Sequence, residues 1–434
     1  MFVKYKFYPY LCFYKQIKNN RIMITKEEFE KLVDIELTEK NGKLVCNGLY
    51  LNGRTDVTEL PDNLKILGGL SLRNTGVTKL PKGLEVEGLL VISCTNIEEL
   101  PEDTKIDGGL FVNYMNKPFS FPKVLKVEDC FECKHTTIKR MPEELHVKYS
   151  FDFSHSKFDK LPLVMEFGYT LYLHNTNITE LPEGLKEVYG NFDISFTKMS
   201  KLNDNLVVYR ELNLSYTPIK ELPKGLIIGY VLGLCGTKLR DYSNLHKVCS
   251  SFVVTEDKYN EIKDTLVKHR KKIIRYNEVH VTFEPNYKGA YLFENEIGKF
   301  IYADKIFAKI VEQKGNVYHI DIYGDGEITY LITDGEGRWS HGDTLEEAKN
   351  DLVYKITDRN KSDYENLSLD SELSFDDAIV CYRVITGACS FGTKDFIKNR
   401  LGKNRKDVYT IKEIITLTEG EYGNGVFKGF FVKL

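Results

Sequence analysis

The chain contains nine cysteines, whose thiols could bind a metal ion, form disulfides or act as nucleophiles. Cys130 and Cys133 have the spacing of a zinc-binding pair, but the alternation of side chains along a strand places Cys133 inward and Cys130 outward. An odd number of scattered cysteines in a chain of this size does not indicate a disulfide framework. The sequence therefore predicts reduced thiols in a cytoplasmic protein, with no metal site and no cofactor.

A catalytic arrangement can also be drawn in the C-terminal part of the chain. Cys389 would be the nucleophile, His341 the base and Asp343 the acid that orients the base. The alternative, which the sequence favours, is that Cys389 is a small buried cysteine beside an apolar helix. A calcium loop beginning at Asp321 fails because Ile332 stands where the bidentate acid is required. No catalytic residue is predicted, and whether the protein is an enzyme stays open.

A second group of residues indicates a surface patch in the same part of the chain. Arg338, Trp339 and His341 lie close together, and Trp339 is the single tryptophan of the sequence. Tryptophan and arginine often supply binding energy at protein surfaces. The three residues are therefore candidate contacts, although packing of Trp339 in the core or under a loop is the favoured alternative.

Charge and hydropathy argue against two classes of partner. The net charge is −3, so the chain has no overall positive field for nucleic acid. Its one basic cluster, between Lys268 and Arg275, is interpreted as the solvated end of an amphipathic helix over residues 256–276. No apolar run approaches the roughly 18 residues that a membrane-spanning helix needs.

These candidate residues are positioned by a repeat that dominates the first half of the chain. Threonine recurs every 20 or 21 residues from Thr55 to Thr237, with two exceptions. An apolar residue followed by proline keeps step with it, as in Leu60-Pro61, and the proline is missing only after Leu202. A fixed period of this length indicates a solenoid, in which each turn buries its apolar face against its neighbours.

Each repeat reads as a short strand followed by an extended return. Apolar residues two positions apart supply the inward side of the strand. These pairs are Leu70/Leu72, Leu90/Ile92, Leu110/Val112, Phe131/Cys133, Phe151/Phe153, Leu171/Leu173, Phe192/Ile194, Leu212/Leu214 and Leu232/Leu234. A unit of about 20 residues leaves little room for a helix. We therefore expect a parallel sheet of very short strands with extended or polyproline-like backs.

Residues 45–245 resemble bacterial leucine-rich repeats of the short, Leu-Pro-containing class, which occur in secreted effectors of pathogens. The resemblance rests on the pairs above, and it implies a fold rather than an activity. Threonine stands where those repeats usually carry asparagine after the strand. Because asparagine ladders bond the backbone of successive turns, the threonine hydroxyls are expected to do the same with a shorter reach.

Two segments precede the solenoid. Residues 1–22 form a basic, aromatic extension that lacks the features of a signal peptide and is expected to be dispensable. Residues 23–44 are predicted to contain a capping helix that begins after Thr25, with Glu28 at the capping-box position. This helix would cover the first turn, whose apolar face has no preceding neighbour.

Two further segments follow the solenoid. Residues 246–278 are predicted as a helical linker, and residues 279–434 as an α+β domain. Within that domain, the segment from Phe300 to Ser340 reads as a meander of antiparallel strands. Helices then begin after Thr344 and after Ser374, which are typical N-cap residues.

Parts of the C-terminal domain resemble a module that accompanies threonine-containing leucine-rich repeats in uncharacterised bacterial, phage and mobile-element proteins. The matching stretches are DTLEEAKNDLVYKITDR, LSLDSELSFDDAIVCYRVITGAC, FGTKDFI and YTIKEIITLTEGEYGNGVFKGFF. The resemblance transfers no catalytic residue. It implies a two-part architecture, and the mobile-element setting suggests a host factor as the target.

The strand residues beside the inward pairs predict where a partner binds. They form two outward rows, and in the middle of the solenoid these rows contain Glu132, Lys134, Asp152, Tyr172, His174, Asp193 and Asn213. Aromatic anchors commonly carry interface energy. We expect the concave face around Tyr172 to dock a partner with a basic patch, the alternative being a sheet face that is merely soluble.

Two functions are compatible with this organisation. In the first, the protein is a non-enzymatic binding protein whose solenoid docks a protein partner, plausibly a phage or mobile-element protein acting on a host factor. In the second, it is a modular effector in which the solenoid recruits a substrate and the C-terminal domain is catalytic.

Overall fold

The computed structural model describes residues 24–275, 278–356, 361–388, 390–402 and 405–432. Residues 44–253 form a solenoid of about ten turns with parallel strands, followed by a C-terminal part that contains antiparallel sheet and helices. The predicted fold class is therefore confirmed. The extension predicted at residues 1–22 lies outside the described residues.

Seven α-helices are found in the described part of the chain. They are α1 (Lys26–Val33), α2 (Glu256–Ile262), α3 (Leu345–Ile356), α4 (Phe375–Thr386), α5 (Ser390–Phe396), α6 (Ile411–Leu417) and α7 (Asn424–Phe431). Short 3₁₀ helices lie at Leu245–Lys247, Lys263–Thr265 and Lys361–Tyr364, and a π-helical turn at Ile397–Leu401.

The predicted capping helix is confirmed as α1. The Thr25 hydroxyl accepts a hydrogen bond from the Glu28 amide at 3.2 Å, and the Glu28 carboxylate accepts one from the Thr25 amide at 3.0 Å. This reciprocal capping box fixes the start of the helix. Phe29 and Val33 are buried in the same core as the solenoid, so α1 covers its first turn.

The predicted inward pairs form one long sheet, and their side chains are buried in every turn. Each strand pairs in parallel with the strand one repeat away. The parallel strands are Leu49–Tyr50, Leu70–Ser71, Leu90–Val91, Leu110–Phe111, Phe131–Glu132, Phe151–Asp152, Leu171–Tyr172, Phe192–Asp193, Leu212–Asn213, Ile227–Gly233 and Cys249–Thr255.

The return segments are extended, as predicted, but they also contain a second row of parallel strands that the sequence did not predict. These are Lys43–Cys46, Leu64–Ile66, Glu85–Val86, Lys105–Ile106, Val124–Val127, Glu144–Val147, Val164–Phe167, Glu187–Val188 and Val207–Val208. Thr38–Lys40 pairs antiparallel with the first of them, and Phe119–Ser120 pairs with Ile138–Arg140. Every turn therefore has two hydrogen-bonded sides.

Glycine makes the bend between these two rows possible in several turns. A Cβ added to Gly68 would lie 2.4 Å from the Asn47 carbonyl oxygen, and one added to Gly108 would lie 2.3 Å from the Gly88 carbonyl oxygen. Successive turns thus approach so closely that only a residue without a side chain fits between them.

The repeated threonines act mostly within their own turn. The hydroxyl of Thr176 donates to the carbonyl oxygen of Leu173 at 2.8 Å, and five other threonines make the same bond three residues back. Only the hydroxyls of Thr136 and Ser156 reach the preceding turn. The expected ladder between turns is therefore wrong for most positions, because the short side chain is satisfied by the nearest carbonyl.

The helical linker predicted for residues 246–278 is only partly helical. Helix α2 ends at Ile262, and residues His269–Arg275 form a strand that pairs antiparallel with the strand Glu278–Phe283. Glu278–Phe283 in turn pairs antiparallel with Cys249–Thr255 and ends the parallel sheet. The basic cluster therefore lies on the edge strand of this cap and not at a helix terminus.

The predicted meander is confirmed and extended by two strands at its start. Six antiparallel strands follow each other in chain order: Tyr291–Asn295, Gly298–Ala303, Ile306–Lys314, Val317–Asp321, Thr329–Thr333 and Trp339–Gly342. Helix α3 packs against the last two strands. We call these strands the six-stranded sheet.

The last part of the chain packs around a separate core. Helices α4, α6 and α7 surround it, and the short antiparallel strands Glu372–Ser374 and Val408–Thr410 complete it. Helix α4 begins at the predicted N-cap, because the Ser374 hydroxyl accepts from the Asp377 amide at 3.2 Å. It ends at Gly387, whose φ of 72° is the left-handed value that favours glycine.

The six-stranded sheet is joined to the solenoid by a common hydrophobic core. Phe293, Phe300 and Phe307 belong to the same buried cluster as the inward pairs. The Phe307 ring lies edge-on to Tyr209 of the solenoid, with the ring centroids 5.2 Å apart. The Tyr230 hydroxyl also donates to the Lys305 carbonyl oxygen at 2.6 Å. The two predicted parts therefore share apolar packing across the boundary.

Candidate functional site

The structure brings the predicted strand-surface residues together. Glu132, Asp152, Tyr172, Asp193 and Asn213 occupy the same position in five successive strands, each opposite the next in register. Neighbouring strands lie about 4.8 Å apart, so the five side chains form one continuous row. All of them are half-buried. Their role in binding stays a prediction.

The second predicted row ties neighbouring turns together. Lys134 Nζ lies 3.0 Å from a Glu132 carboxylate oxygen and 3.4 Å from one of Asp152. Partial burial alone lowers the pKa of Lys134, but the hydrogen bond with Glu132 and the charge of Asp152 outweigh it and raise the pKa. His174 Nδ1 lies 2.7 Å from the Ser195 hydroxyl. Lys134 and His174 therefore hold this surface in a defined arrangement.

The acidic side chains of the row are also fixed by the backbone. Asp152, Asp193 and Asn213 each accept a hydrogen bond from the amide two residues further along, at 2.8, 2.8 and 3.1 Å. Such local bonds are typical of Asx turns. The carboxylates of Glu132, Asp152 and Asp193 outnumber the single ammonium of Lys134, so this part of the surface has a net negative charge.

A third row, which the sequence did not predict, lies at the bend after each strand. In eight successive turns the residue before the repeated threonine position has a φ between 51° and 62°. These residues are Asn74, Cys94, Tyr114, His135, His155, Asn175, Phe196 and Tyr216. The left-handed region costs a residue other than glycine about 1–2 kcal/mol. The signal in the sequence was only their common register, because their residue types differ.

Aromatic and imidazole rings follow each other along the solenoid in stacked or edge-on contacts. We define the ring ladder as Tyr114, His135, His155, His174, Phe196 and Tyr216. Five of these residues belong to the third row, and His174 belongs to the second predicted row. Successive ring centroids are 4.6, 4.4, 4.9, 5.3 and 4.4 Å apart. Tyr114, Phe196 and Tyr216 are exposed over half of their surface. Six rings thus form one continuous ribbon beside the row that contains Glu132, Asp152 and Asp193.

His135 of the ring ladder favours the neutral form. Partial burial lowers the pKa of His135, and the neighbouring His155 lowers it further because two imidazolium charges would repel. The two imidazole planes are inclined by only 4°. The ladder therefore offers apolar ring surface and hydrogen-bonding ring edges, next to a surface that carries negative charge.

The predicted C-terminal patch of Arg338, Trp339 and His341 is not a common surface. Trp339 is 4% exposed, and its indole N–H donates to the Lys288 carbonyl oxygen at 2.8 Å. It packs in the core of the six-stranded sheet, where a large apolar ring gains most from burial. Arg338 is exposed and pairs with Asp334 at 3.2 Å. Trp339 therefore has no surface role, and the favoured alternative of packing in the core is confirmed.

His341 belongs to a buried charge cluster instead. Its Nδ1 lies 2.6 Å from Asp304, which also receives Lys355 Nζ at 2.6 Å. Asp343, the acid considered for a catalytic triad, is exposed, and Cys389 lies outside the described residues. Burial by itself raises the pKa of the Asp304 carboxyl, but the bond to His341 and the charge of Lys355 outweigh it and hold the pKa below its usual value.

This cluster predicts a dependence of stability on pH. Because the folded-state pKa of Asp304 is depressed, its contribution is present above the unfolded pKa of about 3.9 and is lost as the pH falls through the lower folded value. As the pH falls from 5 towards the acid limit, the free energy of unfolding of Asp304→Asn should therefore decrease less than that of the unaltered chain. Urea titrations at each pH would measure this decrease. The exposed Asp343→Asn should keep the unaltered pH dependence. Parallel curves for the unaltered chain and Asp304→Asn would contradict the expectation.

The residues that the structure describes contain neither a candidate metal site nor a membrane-spanning helix. No group of three or more histidine, cysteine and acidic side chains in them could hold a metal ion. Cys133 is buried in the solenoid and Cys130 is half-buried, in line with their predicted orientations. No described helix is long and apolar enough to cross a bilayer.

No protein-family model, no curated protein and no solved structure matches the chain. The features of the molecule that bear on function are therefore the two outward rows, the ring ladder and the charge cluster around Asp304.

Proposed function

We propose that the protein is a non-enzymatic binding protein whose solenoid docks a protein partner. The docking face consists of the two predicted rows between Glu132 and Asn213 together with the ring ladder. It is the one surface of the solenoid on which fixed carboxylates lie beside a continuous ribbon of exposed rings among the described residues. Solenoids commonly use such extended surfaces for binding.

The left-handed backbone of five of the six residues in the ring ladder is the observation that carries this proposal. Tyrosine and phenylalanine are uncommon at positive φ, and asparagine or glycine would form the same bend at a lower cost. Tyr114, Phe196 and Tyr216 nevertheless occupy it with their rings exposed. The exposed half of each ring gains no burial energy in the free protein. A partner that covers these rings would supply energy that compensates for the left-handed backbone.

The chemistry of the docking face favours a partner with arginine or lysine side chains. Guanidinium groups bind carboxylates through paired hydrogen bonds and also pack on aromatic rings. Asp152 and Asp193 present the carboxylates, while Tyr172 and the ring ladder present the rings. A basic patch on the partner would therefore meet both kinds of group at once.

The C-terminal part would add a second contact or an inhibitory surface. The resemblance to mobile-element proteins supports a host factor as the partner, with the leucine-rich repeat class as the finer description of the solenoid. The catalytic alternative is supported by one observation, the buried His341–Asp304 pair. Its test is His341→Gln, which would abolish a cellular activity without weakening partner capture.

A triple variant of the docking face tests the proposal. Asp152→Lys, Tyr172→Ala and Asp193→Lys reverse the charge and remove the central ring, and because hot-spot residues each contribute about 2 kcal/mol or more, affinity should fall by well over tenfold. Proteins captured from a lysate of the native host would be identified, purified and titrated against each variant. The melting temperature should change little, since the three side chains are only half-buried.

A matched control makes the same changes elsewhere on the solenoid. Glu143→Lys, Leu163→Ala and Glu183→Lys alter charge and apolar surface equally, at exposed positions of the return segments. This variant should bind as the unaltered chain does. Undiminished binding by the docking-face variant would place the binding site in the C-terminal part and contradict the proposal.

A further inference from the structure

A cavity of about 400 Å³ lies between the six-stranded sheet and helices α4, α5 and α6. The sheet contributes His341 and the turn that contains Asp304, and these helices with the segments that follow them contribute the remaining walls. Small-molecule sites usually have volumes of about 300–1,000 Å³. No residue of the docking face lines this cavity, so it is a different candidate site.

Aromatic rings dominate the walls of the cavity. Those that line it are Phe375, Tyr382, Phe396, Tyr409 and Tyr422. Between them lie small or aliphatic side chains, such as Ala378 of helix α4 and Leu417 at the end of helix α6. Aromatic rings bury large flat areas of an apolar partner and prefer offset-stacked or edge-on contacts with other rings. The shape therefore suits a flat, ring-containing molecule.

The charged groups at the cavity already have partners within the protein. Glu421 accepts from Arg400 Nε at 3.0 Å, and the exposed Asp395 accepts from Asn399 at 2.6 Å. Asp304 is neutralised by the buried cluster described above. Lys305, which also lines the cavity, lies over the Tyr422 ring. A charged ligand would have to be desolvated and would gain a counter-charge only by displacing one of these contacts, which is costly. The cavity therefore favours a ligand without net charge.

One end of the cavity nevertheless offers hydrogen bonding. His341 lines it, and its Nδ1 is held by Asp304 at 2.6 Å. Such a bond fixes the orientation of an imidazole and the position of its proton. Lys305 also lies at this end, with its Nζ 3.5 Å from the centre of the Tyr422 ring. His341 and Lys305 thus offer polar atoms at this end, as in sites where a few polar groups orient an otherwise apolar ligand.

We propose that this cavity binds a small uncharged molecule with an aromatic ring system and one hydrogen-bonding group, and that this group faces His341. The site lies in the C-terminal part and does not depend on the docking face. It would make the C-terminal part a ligand-binding module attached to the solenoid.

The uncharged fluorophore N-phenyl-1-naphthylamine tests the proposal, because it has two ring systems and one N–H group and emits more strongly outside water. Titration of the full chain should give saturable binding to one site. Ala378→Trp fills the cavity with an indole and should weaken binding by about tenfold or more. Val426→Trp adds the same indole at an exposed position of α7 outside the cavity and should leave binding unchanged.

Two further measurements keep the test decisive. Leu417→Trp changes a partly exposed wall residue and replaces Ala378→Trp if that variant does not fold. The docking-face variant should bind the fluorophore as the unaltered chain does. Absence of saturable binding, equal binding by a folded cavity-filled variant, or tighter binding of the sulfonated analogue 8-anilinonaphthalene-1-sulfonate would overturn the proposal.

Discussion

Replacing Leu173 by alanine is expected to lower the free energy of unfolding by about 2–5 kcal/mol, the range for a buried leucine. Leu173 is 0% exposed. Its amide donates to the Asp193 carbonyl oxygen at 2.8 Å, and its carbonyl oxygen accepts from the Thr176 hydroxyl at 2.8 Å. Because the first bond joins Leu173 to the next turn and the second holds its own turn, the backbone has little freedom to move in and fill the cavity. Urea unfolding followed by circular dichroism measures the loss.

Leu163→Ala is the matched control for this prediction. Leu163 is 87% exposed on a return segment of the neighbouring turn, so the same truncation should change stability by less than about 0.5 kcal/mol. Repeats interact mainly with their neighbours. Hydrogen exchange in Leu173→Ala should therefore accelerate most in the adjacent turns, and uniform acceleration throughout the chain would contradict this view of the solenoid.

Replacing Phe307 by alanine is expected to cost about 3–5 kcal/mol, the range for a buried phenylalanine. Its ring centroid lies 5.2 Å from that of Tyr209, 5.7 Å from Phe300 and 6.2 Å from Phe293. A Cβ added to Gly229 of the solenoid would lie 2.6 Å from the Phe307 ring. The Phe307 ring therefore packs directly against the backbone of Gly229, and a side chain at that position of the solenoid would collide with it.

The consequence extends beyond the local loss of stability. Since Phe307 joins the six-stranded sheet to the solenoid, its removal should uncouple the two in calorimetry, with the sheet melting earlier than the solenoid. Val311→Ala lies on the same strand but is 57% exposed, and it should leave a single coupled transition. Two separate transitions already in the unaltered chain would show that the common core does not couple them.

This coupling explains why the boundary predicted at residue 279 describes composition better than packing. The repeat ends before it and the meander begins after it, as the sequence indicated. The strand Glu278–Phe283 nevertheless pairs with the last parallel strand of the solenoid, and Phe293 packs in the solenoid core. Alternation along a strand shows that one face is apolar, but it does not show which other surface covers that face.

At the basic cluster, strand pairing also outweighed the helix propensity of the segment. The segment that ends at Arg275 has the spacing of an amphipathic helix, and helix α2 does begin it after the Thr255 cap. Beyond Ile262, pairing of His269–Arg275 with Glu278–Phe283 satisfies the backbone groups as a strand. Short segments commonly follow such tertiary pairing rather than intrinsic propensity, since the propensity differences are below about 1 kcal/mol per residue.

The docking face shows the same division between local and long-range information. The row from Glu132 to Asn213 was predictable, because a fixed period places equivalent residues above one another. The left-handed positions of the ring ladder were not predictable, because they share a backbone conformation and not a residue type. His341 was chosen for a different acid, and its partner Asp304 lies 37 residues away in the chain.

The sequence by itself determined the solenoid, the inward pairs and the capping helix, because these depend on burial patterns that repeat over one or two turns of the chain. The tertiary structure alone decided that the six-stranded sheet shares the solenoid core, that His341 pairs with Asp304, and that an apolar cavity lies beside this charge cluster. Those features arise where segments distant in sequence meet. The energy of such contacts depends on shape and register, which the order of residues along one segment does not specify.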